Sequence, residues 1–153
     1  MYNQQDIILL LDDALLRAIP ESGAWVRVRT SARSDEPQYW IEVRSPLRPS
    51  TQHLNILLRH DGEIQIEYHF TVKSGSPFEM LIPLVAGREL AGIEEATLFV
   101  ADLLAERLVL VHTKGVFRGG RRFLNPCSLT ESARRDLSWI TSWLGNFDYP
   151  NPT

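Results

Sequence analysis

Few residues in this chain are of types and spacings that do chemistry. The lone cysteine, Cys127, stands in Asn125-Pro126-Cys127-Ser128, just before a segment of helical spacing. A helix N-terminus stabilises a thiolate, which makes this a candidate nucleophile. Nucleophilic catalysis also needs a neighbouring base, and none lies near Cys127 in sequence, so a packed, inert cysteine is the simpler reading. Of the four histidines, His53, His60 and His69 fall with Asp61 in or beside one hairpin, and His112 lies far from them. Their spacing matches no metal-ligand pattern, and solvated hairpin residues account for them. No metal or cofactor site is expected.

The segment Phe117-Arg118-Gly119-Gly120-Arg121-Arg122-Phe123 offers different chemistry. The guanidinium groups of Arg118, Arg121 and Arg122 suit phosphates, flanking aromatic rings suit bases, and paired glycines permit close backbone approach. The phosphate-cradling pattern that ends in Gly-Lys-Ser or Gly-Lys-Thr is missing. Glu131 and Asp136 dilute the charge that follows, and the chain as a whole carries a net charge of −3. Nucleic-acid contact through these arginines is therefore the alternative reading, behind a solvated loop or one paired with acidic residues.

The elements that must position these groups follow from periodicity. Ile7, Ile8, Leu11, Ala14, Leu15 and Ala18 fall on one stripe of a helix over 4–18, which Pro20 and Gly23 terminate. From Trp25 the period changes to two, and strands are expected near 25–30, 39–44, 54–59 and 63–70. His60-Asp61-Gly62 reads as a tight hairpin turn, because Asp-Gly accepts the positive φ values of a type I′ turn. Ile64, Ile66, Tyr68 and Phe70 then face the core, and Gln65, Glu67 and His69 the opposite side.

Gly75, Pro77 and Pro83 suggest a loop with one short edge strand near 78–82. A second helix is expected from about Glu89 to Arg107, buried along Leu90, Ile93, Thr97, Val100, Leu104 and Leu108, with Glu94, Glu95, Asp102 and Glu106 on an acidic outer face. Leu108 to Val111 carries no period and fits either a last helical turn or a strand. Ser128-Leu129-Thr130-Glu131 matches a capping box, and Leu129, Ala133, Leu137, Ile140 and Leu144 suggest a third helix that Gly145 ends. Trp139 and Trp143, four residues apart, then share a helical face, with Trp143 either core or an exposed anchor.

The 153 residues, 44% hydrophobic, suffice for one core, so a single α+β domain over 1–153 is expected: an N-terminal helix, an antiparallel meander of four to five strands, and two further helices on one face. No run approaches the roughly 20 apolar residues of a membrane span. The opening residues lack the pattern of a secretory signal, and one cysteine cannot form an internal disulfide, so a cytoplasmic protein is expected. Charge is uneven: residues 1–111 carry 16 acidic and 10 basic side chains, and residues 112–153 carry 3 and 6.

The closing run Trp139-Ile140-Thr141-Ser142-Trp143-Leu144-Gly145-Asn146-Phe147-Asp148, after a helix, meander and helix, resembles the small immunity proteins of bacterial polymorphic-toxin systems. That resemblance implies a cytosolic, non-enzymatic inhibitor that neutralises a cognate toxin by occlusion, and it transfers no catalytic residue. With the acidic helix face and surplus aromatics it points to a basic toxin domain as partner, contacted by Glu94, Glu95, Asp102, Glu106 and Trp143.

Overall fold

The computed structural model describes residues 3–31, 38–59, 63–73, 81–113, 120–135 and 137–149. The chain is α+β, with helices and antiparallel strands grouped in two compact units, 1–100 and 101–153.

The first unit opens with α1 (Gln4–Ala18). Asn3 caps it: the Asn3 side chain accepts from the Asp6 amide at 2.8 Å, and the Asp6 carboxylate accepts from the Asn3 amide at 3.4 Å. Such a cap contributes about 1 kcal/mol. Ile8, Leu11 and Leu15 are its buried stripe, and Pro20 ends the helix by opening a 3-10 turn over Pro20–Ala24.

Five strands follow: β1 (Val26–Ser31), β2 (Gln38–Arg44), β3 (His53–Leu58), β4 (Ile64–Lys73) and β5 (Leu81–Leu90). They form one sheet in the order of the chain, each antiparallel to the next. Alternation fixes its two faces. Ile41, Val43, Leu54, Ile56, Ile66 and Tyr68 are buried, and α1 packs against β2 and β1. Burial of one such aliphatic side chain stabilises by about 2 kcal/mol, and slipping a strand by one residue would expose its whole buried row. The turn at 60–62 lies outside the described residues, but its flanks are closed by the Arg59 amide donating to the Glu63 carbonyl at 2.9 Å.

Two expectations for this part of the chain are corrected. Residues 81–90 form a full-length strand rather than a loop with a short edge strand. Pro83 is compatible with that because β5 is an edge strand, where a missing amide breaks no ladder bond. The second helix, α2 (Ile93–Leu104), is consequently shorter than 89–107. Leu90 is buried as a strand residue paired with Ile64, and Glu106 and Leu108 lie beyond the last turn.

The second unit is built on a three-stranded antiparallel sheet of β6 (Val109–Thr113), β7 (Arg121–Leu124) and β8 (Leu137–Thr141), in the order β7-β6-β8. The unpatterned Leu108 to Val111 run is thus mostly strand. The third helix is corrected: only Glu131–Arg135 is helical, as α3, after a 3-10 turn over Pro126–Ser128. Leu137–Thr141 is a strand because it pairs with β6, Ile140 opposite Val111 and Trp139 opposite His112. Its aromatic and β-branched residues suit the pleat. Val109, Val111, Leu137 and Ile140 form the core, joined by Leu124, Leu129 and Phe147. The chain then returns to bridge Tyr149 with Ile140. Asn125 caps the 3-10 turn: its side-chain oxygen accepts from the Cys127 amide at 2.9 Å, while the Ser128 hydroxyl donates to the Asn125 carbonyl at 2.7 Å.

Candidate functional site

The acidic residues expected to share one helix face separate into three settings. Glu94 and Glu95 occupy the first turn of α2 and are exposed. There they complement the partial positive charge of the helix start, and the Glu95 carboxylate accepts from the Ala91 amide at 3.0 Å. Between them on the same face stands Leu98, four residues from Glu94 and three from Glu95. It is 63% exposed, the largest value among the exposed large hydrophobic residues that are described. Leu98 was readable as a leucine off the apolar stripe of Ile93, Thr97, Val100 and Leu104, since one residue advances a helix by about 100°.

Asp102 is half-buried and tied to Arg107, whose Nε donates to its Oδ1 at 2.6 Å. Glu106 is not on a helical face at all: it follows α2 in the left-handed region, with φ of 57°. It is only 6% exposed. One carboxylate oxygen accepts from the Leu144 amide at 2.7 Å and the Asn146 amide at 3.3 Å, and the other from Asn146 Nδ2 at 2.5 Å. Its carboxylate organises the loop after β8 rather than a surface. Asp148 does the same from the other end, accepting from the Ser142 amide at 2.8 Å and the Ser142 hydroxyl at 3.2 Å.

Trp143 lies in that loop and is 1% exposed, so it is a core side chain and not an exposed anchor. With 137–141 extended, Trp139 and Trp143 share no helical face either.

Of the arginines, Arg118 lies outside the described residues. Arg121 and Arg122 are exposed on β7, an edge strand. Arg121 is in register with His112, and His112 with Trp139. The last two rings stack with centroids 5.2 Å apart and planes 12° from parallel. A cation and two flat rings thus form one row across the sheet.

Cys127 is exposed rather than packed, in a 3-10 turn of three residues. Among the described residues no group of three or more histidine, cysteine, aspartate or glutamate side chains is placed to hold a metal ion. His60 and Asp61 lie outside the described residues, whereas His53 and His69 meet face to face on the first sheet. Compared with protein-family models, with curated proteins and with solved structures, the chain gives no match.

Proposed function

We propose that the protein binds and occludes a basic protein partner, as an immunity protein neutralises its toxin, and that the contact surface is the exposed face of α2 formed by Glu94, Glu95 and Leu98. The observation that carries this reading is Leu98, 63% exposed between two exposed carboxylates. An apolar side chain inside a charged rim is the anatomy of a protein interface, and the two carboxylates steer a basic partner and speed encounter. Asp102, Glu106 and Trp143 fall outside this surface, the first bound to Arg107 and the others buried.

The test begins with capture of proteins from the source cell on the immobilised chain. Each captured protein is then expressed alone and together with the chain. The expected result is a basic protein that arrests growth when alone and is neutralised by the wild type, but not by a folded Glu94→Lys/Glu95→Lys/Leu98→Asp variant. Neutralisation unchanged in that variant would move the interface elsewhere, and the absence of any toxic captured protein would overturn the inhibitor reading.

A further inference from the structure

The outer face of the first sheet carries a cluster that plays no part in the proposed binding surface. His53 on β3 and His69 on β4 are cross-strand partners. Their rings are stacked with centroids 4.4 Å apart and planes 8° from parallel. His69 Nε2 lies 3.2 Å from Glu67 Oε2 and 3.3 Å from Asn55 Nδ2. The other oxygen of Glu67 accepts from Gln65 Nε2 at 3.3 Å.

Register sets further residues beside the pair. On β2, Arg44 is in register with His53, and its Nε donates to Glu42 Oε1 at 2.5 Å. Arg27 of β1 is the register partner of Glu42. On β5, the positions opposite Glu67 and His69 are Gly87 and Val85, neither of them charged.

We propose that His53 and His69 act as one proton-accepting unit, which takes up a single proton on His69 Nε2 against Glu67 while the His53 ring stays neutral. Two imidazolium rings at this separation would repel, since stacked rings leave no room for water between them. The pair therefore titrates in two macroscopic steps that belong to both rings. Burial, with the His69 charge next, holds His53 below its ordinary value, which keeps it the neutral member. Asn55 registers the state of the pair. Its Oδ1 is buried without a hydrogen-bond partner, and reversal of the amide would turn that oxygen toward His69 Nε2 once the nitrogen carries a proton. Glu42 pairs with Arg44 and is in register with Arg27, so uptake of one proton shifts the charge of this face by one unit in the positive direction. The fold thus contains a patch whose charge changes with pH.

The experiment is an NMR titration of the imidazole Cε1–H signals in the full chain, labelled at histidine, over about pH 4 to 9. Wild type should show His53 and His69 sharing two steps separated by more than about one pH unit. His53→Asn should leave His69 a single step, and Glu67→Gln should move the upper step down by about half a unit or more. Two independent single-step curves, indifferent to the neighbouring ring and to Glu67, would overturn the proposal. Should His53→Asn disturb the sheet, the wild-type curve and Glu67→Gln decide alone.

Discussion

Glu106 supports the sharpest test of the second unit. Glu106 is 6% exposed, and its carboxylate receives three hydrogen bonds from Leu144 and Asn146. Hydrogen bonds to a charged acceptor contribute about 1.5–3 kcal/mol each, and they are not additive when one carboxylate serves all three. Glu106→Ala leaves those donors without an acceptor in a partly buried loop, and the expected loss is about 3 kcal/mol. Glu106→Gln keeps one oxygen but turns an amide toward Asn146 Nδ2, for a loss of about 1–2 kcal/mol. The backbone adds a discriminating sign. At φ of 57° a side chain is strained and glycine is not, so Glu106→Gly should be more stable than Glu106→Ala by about 1 kcal/mol, against the usual order of the two residues near a helix. Urea unfolding followed by tryptophan fluorescence measures all three, with Trp143 in the affected loop. An alanine variant within about 0.5 kcal/mol of wild type, or a glycine variant less stable than alanine, would refute the role assigned to this carboxylate.

Cys127→Ser should leave stability within about 0.5 kcal/mol of wild type and any measured binding intact, because the thiol is exposed. A tenfold functional loss in a folded variant, about 1.4 kcal/mol, would give the thiol a chemical role. The lowered pKa of His53 means that the folded chain binds fewer protons there than the unfolded chain. Its stability is therefore fully present above the unfolded value of 6.5 and falls as pH drops through that value toward the depressed one, a slope that pH-dependent denaturation should show and His53→Asn should flatten. Wild type and an Arg121→Ala/Arg122→Ala variant should bind single-stranded RNA or DNA equally weakly at physiological salt. Tight binding that falls steeply with salt and is abolished in the variant would favour a nucleic-acid partner over a protein one.

The first sheet was legible because one face is buried and the other is not. Ile64, Ile66, Tyr68 and Phe70 alternate with Gln65, Glu67 and His69, and no helical period competes with that pattern. The α1 stripe was legible for the same reason, with Pro20 marking its end, whereas the Asn3 cap was not read from the sequence. The errors fall where local spacing suits two structures. Leu137, Ile140 and Leu144 are spaced as a helix would have them, but Ile140 opposite Val111 and Trp139 opposite His112 satisfy β6, a pairing across about thirty residues that periodicity does not encode. The proline in β5 read as a loop signal because an edge position is invisible until the strand order is known. For the candidate site, the carboxylates of Glu94 and Glu95 were legible as an outward face, whereas Leu98 was not, because a single leucine off the apolar stripe carries no periodic signal. The stacking of His53 on His69 depends on the β3–β4 register, which places residues sixteen apart side by side.

Net charge and surface charge also diverge here, and this bears on the choice of partner. In residues 101–153 the acidic side chains Glu106 and Asp148 are buried and hold the loop after β8, and Asp102 is paired with Arg107. The exposed charges described beyond that pair are Arg121, Arg122, Arg134 and Arg135 against Glu131, so this unit is more basic at its surface than its composition suggests. In the first unit the exposed Glu94 and Glu95 border an apolar side chain, which makes them a rim, whereas Arg121 belongs to a row that already stacks His112 on Trp139. A rim with an open centre gains affinity by burying Leu98 against a partner, while the rings of the arginine row already pack on each other. For that reason the α2 surface is the interface we propose ahead of the arginine row, even though the arginines are the more conspicuous feature of the sequence.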